Sequence, residues 1–343
     1  MEIDETGSVA PDRVSDEAHM DAALAVASAM VGSTSPNPWV GTILVGNKGD
    51  VFSGVTESSH GRHAEAVALE RAGEEARGGT LYVTLEPCPH VGENPACTEL
   101  IANAGIARVI VGMQDPDPRV AGRGISRLRS AGIEVEVGVR RKEVERQLAP
   151  YLRQRRTGQP FVILKVAMTM DGRTTAPDGT SKWITGPAAR EDVHRLRSQS
   201  DAIIVGAGTV RADNPSLTVR LPDREVERQP QRVVVGAIPD GALIEPALSW
   251  RSSLPELLNH LGEIGCLQVL VEGGATLAGA FHRENLVDRY VLYLAPVALG
   301  GDDGRPVLAG AGMSTIEDAW RGEIVDITKV GQDVRITIEP SAP

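Results

Sequence analysis

The chain has 343 residues, 41% of them hydrophobic and only 3% aromatic, with a formal net charge of −11. It exceeds the roughly 100–200 residues of one typical domain, so two domains are expected. The acidic balance argues against a nucleic-acid surface or adhesion to anionic lipid and favours a small-molecule substrate.

Residues 1–14 are polar and acidic and read as a loose tail. Ser15 is placed to cap a helix through AHMDAALAVASAMV, with Asp16 and Glu17 in its first turn. WVGTILVGN and TLYVTL read as strands, and AEAVALERAGEEA between them as a helix. ACTELIANAG, ARVIVGM, GRGISRLRSAG and IEVEVGV continue the alternation, which predicts a three-layer α/β domain over residues 15–152. A basic, Gly/Pro-terminated stretch at 153–160 reads as a linker, and a second α/β domain follows over 161–343. Its strand candidates are FVILKVAMTM, DAIIVGAG, QRVVVGA, LQVLVEGG and RYVLYLAP. No apolar run approaches the roughly 20 residues that span a bilayer. Three cysteines cannot close a disulfide framework and the N-terminus shows no leader pattern, so a cytoplasmic protein is expected.

The chemistry is densest between His63 and Cys97. A catalytic zinc site takes three protein ligands and leaves a fourth position for water. His63, Cys88 and Cys97 supply that number, while the third cysteine, Cys266, falls in the other domain. Glu65, two residues after His63, is a carboxylate able to carry the proton of an activated water without ligating the metal. Zinc deaminases use an H-x-E…P-C-x-x-C arrangement; here eight residues separate the cysteines. His60 and His90 are spare candidates that more simply line the site or meet solvent.

SPNPWVG, HAEAVAL, TLEPCPH…C and QDPDPRVAGRG in the first half, with LKVAMTMDGRT, SKWITG, VGAGTVRADNPSLTVR and VEGGATLAGAF in the second, resemble the bifunctional riboflavin-biosynthesis deaminase/reductase family. The resemblance runs from about residue 17 to 340. It implies a cytidine-deaminase-like domain followed by a dihydrofolate-reductase-like domain, with zinc and NADPH as cofactors and a phosphorylated pyrimidine as substrate. It implies His63, Cys88 and Cys97 as zinc ligands, Glu65 as the catalytic proton carrier and Asn37 as a pyrimidine contact. Along the cofactor it places Ala167, Trp183, Thr209, Asp213, Gly273 and Gly274. Along the reductase substrate it places Ser181, Arg197, Leu217, Arg220 and Glu272, and Lys165 is expected to face the same substrate. Asp171 is expected to be structural or catalytic, and a homo-oligomer is expected.

Read alone, Gly273-Gly274 between a strand and a helix offers free backbone N–H groups to an anion, and Arg197 and Arg220 suit a phosphate. Trp183 read alone also has a plainer reading as a core residue.

Three positions depart from the resemblance. Glu93 stands where Lys or Arg is usual, which predicts weaker attraction for a substrate phosphate unless another cation, Arg62 being the nearest, compensates. The approach GVTESSHGRHAE leaves the role of His60 open, and Val297 replaces a common lysine. Two competing readings follow: a reductase whose deaminase half is inactive or shifted to another pyrimidine, and a nonenzymatic nucleotide-binding regulator, against which Glu65 argues.

Overall fold

The computed structural model describes residues 13–59, 61–92, 94–222, 226 and 228–341, with side chains described from Asp16 onward. His60, Glu93 and the tail up to residue 12 lie outside the described residues. The chain divides into two compact units, Met1–Thr157 and Gly158–Pro343.

The first unit runs α1 (Arg13–Ser28), β1 (Gly41–Val45), β2 (Val51–Val55), α2 (Ala64–Ala72), β3 (Thr80–Leu85), α3 (Cys97–Asn103), β4 (Arg108–Met113), α4 (Arg123–Ser130), β5 (Glu134–Val137), α5 (Arg141–Gln147) and α6 (Ala149–Thr157). Its five strands lie in the order β2-β1-β3-β4-β5. β1 is antiparallel to both neighbours, and β3, β4 and β5 are parallel.

Met20 and Ala23 of α1 pack on Ile43, Tyr82 and Ile110. The buried Asp16 anchors that helix, accepting from Tyr82 Oη at 2.8 Å and from two Arg108 nitrogens at 3.0 Å. The helix begins at Arg13, so Ser15 sits inside its first turn instead of preceding it. β2 is an element the sequence reading did not name; its Gly54 has room for no side chain, since a Cβ there would come within 2.1 Å of the Ala64 carbonyl oxygen. That close approach seats the start of α2 on the sheet. Residues 153–157 of the expected linker are the end of α6, and only Gly158 to Pro160 separate that helix from the next strand.

The second unit contains β6 (Phe161–Thr169), β7 (Arg173–Thr175), α7 (Pro187–Ser198), β8 (Ala202–Gly206), α8 (Ala207–Asp213), β9 (Gln231–Val235), β10 (Leu248–Trp250), α9 (Leu254–Glu263), β11 (Gln268–Val271), α10 (Ala275–Arg283), β12 (Arg289–Ala295), β13 (Arg305–Pro306), β14 (Gly322–Val330) and β15 (Asp333–Pro340). Eight strands form one sheet in the order β10-β9-β8-β11-β6-β12-β15-β14. From β10 to β12 neighbouring strands are parallel; β12, β15 and β14 are antiparallel. The apolar runs of β6, β8, β9 and β11 are buried beneath α9 and α10, with Phe281 and Leu257 fully enclosed. This is the continuous hydrophobic pattern expected of parallel strands covered on both faces. The β14–β15 hairpin was not anticipated, because most of β14 is exposed and shows no buried alternation.

Candidate active sites

Local structure brings the expected metal ligands together. His63 is the N-cap of α2, Cys97 opens α3, and Cys88 lies in the loop leaving β3. One ligand atom from each lies within 4.8 Å of the others. His63 Nδ1 is 3.2 Å from Cys97 Sγ and 3.6 Å from Cys88 Sγ. The surrounding loop is fastened at several points: Asn94 Nδ2 donates to the Gly61 carbonyl at 2.9 Å and Arg127 Nη1 to the Pro89 carbonyl at 2.7 Å.

The donor set fits a dication. Hydrogen bonding from the Cys97 thiol, with help from His63, draws Cys88 down to about 4, while the Cys88 sulfur drives the Cys97 thiol well above its ordinary value. The Cys88 sulfur also raises the His63 imidazole to about 9. Two sulfurs and an imidazole this close cannot all shed protons without a positive charge among them, and zinc supplies that charge. Glu65 is 4% exposed, and burial pushes its carboxyl above the ordinary value. His90 is exposed and outside the ligand group.

Asn37 is half-buried in a turn closed by Asn37 N–H to the Thr34 carbonyl at 2.9 Å and by Thr34 Oγ1 to the Asn37 carbonyl at 2.8 Å. Ser59 N–H reaches the Ser33 carbonyl at 3.3 Å, tying that turn to the loop that leads into His63. Arg62 is not a free cation: it pairs with Glu57 at 2.7 Å and with Glu70, and its hydrogen bonds hold the Glu57 carboxyl down at about 2.

Sequence reasoning missed Glu86. Its buried carboxylate accepts from the backbone N–H groups of Gly122 and Gly124 at 2.9 Å and of Asp115 and Ile125 at 3.2 Å. It thereby folds the QDPDPRVAGRG segment against the PC loop. A Cβ at Gly124 would approach the Pro87 carbonyl oxygen to 2.0 Å, so the glycine permits the contact. Asp115, pushed up to about 6 by burial, accepts from Tyr151 of α6 at 3.0 Å. The carboxylate just before Pro-Cys was the available signal, but its four partners lie 29 to 39 residues away.

In the second unit, every residue expected along the cofactor or the reductase substrate lines one cleft of about 1460 Å³ at the carboxyl ends of the parallel strands, while Asp171 and Val297 lie outside its lining. Glu272, at the end of β11, accepts from Arg197 Nε at 2.5 Å and Nη2 at 3.0 Å and stands 4.0 Å from Lys165 Nζ. Those cations hold its carboxyl below the ordinary value despite burial, which by itself lowers Lys165. Thr209 Oγ1 accepts from Gly274 N–H at 3.2 Å, linking α8 to the two-glycine turn. Arg220 donates to Thr218 Oγ1 at 2.9 Å, and its backbone N–H reaches His194 Nδ1 at 3.2 Å. Leu217 holds a positive φ of 49° in the segment between them and Asp213. Asp213 is 3.4 Å from Lys182 Nζ.

Trp183 is 70% exposed, so the core reading of it is overturned; Arg190 stacks over its ring at 4.6 Å. Asp171 accepts from Thr169 Oγ1 at 2.5 Å and from Gly300 N–H at 2.7 Å, joining the end of β6 to a neighbouring loop. Those bonds lower it to about 2. The His194 and Arg197 pair, three residues apart on α7, was the legible sign that this helix faces the cleft.

Residues 160–336 match the model of the RibD C-terminal domain, and residues 13–113 match the cytidine and deoxycytidylate deaminase zinc-binding region. The riboflavin biosynthesis protein RibD of Bacillus amyloliquefaciens is 38% identical over 359 residues, covering 95% of this chain and 96% of its own. This chain belongs to the RibD family. Among solved structures, RibD of Acinetobacter baumannii (form 1) matches with a TM-score of 0.90 and 36% identity, over 96% of this chain and all of the other. A Thermotoga maritima protein described as a diaminohydroxyphosphoribosylaminopyrimidine deaminase/5-amino-6-(5-phosphoribosylamino)uracil reductase matches with a TM-score of 0.86 and 32% identity, over 96% of this chain and 99% of that one. As a RibD protein, the chain is a bifunctional deaminase and reductase of riboflavin biosynthesis, with a zinc-binding deaminase domain, a reductase domain of the type that uses NADPH, and small-molecule substrates. A purely regulatory role is set aside. No helix among the described residues is long and apolar enough to cross a membrane.

Proposed function

We propose that the first unit hydrolyses the exocyclic amine of a diaminopyrimidinone bearing a phosphoribosylamino group, and that the second reduces the ribosyl group of the product to ribityl. The observation that carries the proposal is the joint presence of the His63–Cys88–Cys97 cluster beside a buried carboxylate and a separate cleft lined by the whole reductase set.

In the first unit His63, Cys88 and Cys97 hold zinc. Zinc when bound is a Lewis acid that brings the pKa of water toward neutrality. Glu65 takes the proton of the attacking water and delivers it to the departing amine; its enclosed position raises its basicity and keeps bulk water from competing for the proton. Asn37 orients the pyrimidine, and Glu86 fixes the loop that carries Cys88.

In the second unit Gly273 and Gly274 receive the cofactor pyrophosphate, with Ala167, Trp183, Thr209 and Asp213 along its length. NADPH when bound supplies the reducing equivalent. Arg197 and Lys165 present fixed positive charge to the ribosyl phosphate end of the substrate, Glu272 holds both cations in place, and Ser181, Leu217 and Arg220 complete the wall.

A cytoplasmic homo-oligomer is the corresponding cellular form. The edge strand β14 supports it, since it exposes Ile324, Val325 and Ile327 on an unpaired sheet edge; light scattering checks it. The function is tested by supplying the phosphorylated diaminopyrimidinone to the purified protein. Ammonia is expected without NADPH, and NADPH consumption only after deamination. NADPH consumption on the undeaminated compound at an equal rate would overturn the order of steps.

A further inference from the structure

Each strand end contributes to the cofactor cleft in spatial order β9, β8, β11 and β6, neighbours about 4.8 Å apart. The substrate charges, Lys165, Arg197 and Glu272, gather at β6 and β11. A nicotinamide ring must reach the ribosyl group held there, and the Gly273-Gly274 turn, which follows β11, lies on the side of β6 that faces β8 and β9, so the adenosine half is placed toward β8 and β9. That end of the cleft is lined by Val235, Leu243 and Ser252 to Leu254, with α8 as its wall. The last turn of α8 is tied to it, because Leu243 N–H donates to Asn214 Oδ1 at 2.8 Å.

Most cations of the cleft already have partners. Lys165 and Arg197 face Glu272, Lys182 faces Asp213, Arg190 stacks on Trp183 and donates to the Thr185 carbonyl at 2.7 Å, and Arg220 is held by Thr218. Arg305 is unengaged among the described residues, but stands on the β7–β13 ribbon that extends from the end of β6. Arg211 of α8 is exposed, lines the cleft, and has no hydrogen bond or ion pair among the described residues. A helical side chain leans toward the N-terminus of its own helix. Three residues back on the same face is Gly208, where a side chain would meet nothing within 4 Å, so the guanidinium has open space to cross toward the ends of β8 and β9.

A second feature agrees. In Rossmann folds an acidic side chain holds the adenosine ribose hydroxyls of NADH, whereas an arginine accommodates the 2′-phosphate of NADPH, a charge contrast that applies to any site taking the adenosine ribose. β9 ends at Val235 and runs into Gly236-Ala237, and Asp240, the first carboxylate beyond it, is not among the residues lining the cleft. We propose that Arg211 binds the 2′-phosphate of NADPH and is the residue that sets its preference over NADH. The proposal rests on the cofactor placement given above.

The test is equilibrium binding of NADP⁺, NAD⁺, 2′,5′-ADP and 5′-AMP to the full chain, followed by calorimetry, for the native protein and for Arg211→Ala, Arg211→Lys and Arg305→Ala. Arg211→Ala is expected to weaken NADP⁺ and 2′,5′-ADP ten- to a hundredfold while NAD⁺ and 5′-AMP change less than twofold. The lysine variant should fall between, and added salt should erode the native preference but not that of the alanine variant. Equal weakening of all four ligands would make Arg211 structural and overturn the assignment. So would an unchanged preference in Arg211→Ala, or a loss found only in Arg305→Ala. A native protein that binds NADP⁺ and NAD⁺ alike would overturn it too, whereas one that binds neither 2′,5′-ADP nor NADP⁺ would instead overturn the cofactor placement itself.

Discussion

Replacing Glu272 by glutamine should destabilise the second unit in a way that depends on pH. The native carboxylate has only 7% of its side chain exposed, takes two charged hydrogen bonds from Arg197 at 2.5 and 3.0 Å, and stands 4.0 Å from Lys165. The amide keeps the shape but carries no charge, and its NH₂ group turns a donor toward a guanidinium that needs acceptors. Removing one partner of a buried ion pair costs about 3–5 kcal/mol, because the remaining charge is left uncompensated. For a unit of this size each kcal/mol lowers the unfolding midpoint by about 2–4 °C, so a fall of roughly 6–20 °C is expected at neutral pH.

Lys165 then adds the pH dependence. Burial already holds its ammonium below the ordinary value and Glu272 is the influence opposing that, so the substitution lowers it further. A lysine whose folded-state pKa lies below the unfolded value near about 10.4 penalises the fold while both states are protonated; the penalty fades as pH rises toward that value. The deficit of Glu272→Gln relative to the native protein should therefore shrink from pH 7 to pH 10. Scanning calorimetry at several pH values reads both effects. A midpoint shift under 2 °C, or a deficit that grows with pH, would refute the reasoning.

Glu65→Gln should retain zinc at the native stoichiometry, measured by atomic emission, and lose ammonia release by about 10²–10⁴-fold, while NADPH consumption on the deaminated substrate persists. Loss of the metal in that variant would recast Glu65 as a ligand. Glu86→Ala leaves four backbone N–H groups without their acceptor, which at about 1–3 kcal/mol for each group that stays buried should lower stability by about 3 kcal/mol or more. The same variant should lower zinc content, since Cys88 rides on the loop Glu86 holds, and unfolding with metal analysis reads both. A fragment beginning at Gly158 should bind NADPH with the affinity of the full chain, because the reductase cleft is built wholly from residues beyond that point; binding that requires His63 or Cys88 would contradict it.

The sequence by itself determined the elements that carry chemistry. A histidine at a helix start, a Pro-Cys after an apolar strand and a second cysteine opening the next helix are local patterns, and strand-to-helix junctions on one sheet bring such residues together whatever the details of packing. Gly273-Gly274 between β11 and α10 was legible for the same reason. Edge and surface strands were not: β2 is short and interrupted by Gly54, and β14 is exposed along most of its length, so neither shows the buried alternation that marks a strand. Partnerships were equally hidden. Arg62 read as an available cation until folding set Glu57 and Glu70 against it, and Arg155, placed in a linker by its composition, is part of a helix and donates to the Pro36 carbonyl. Glu86 looked like an ordinary acid beside more conspicuous motifs, and Glu272 was placed along the substrate by resemblance with no sign of its partners. Only the tertiary structure decided that one collects four backbone N–H groups and the other two half-buried cations, because burial and the pairing of charges depend on residues that are distant in the chain and adjacent only after it folds.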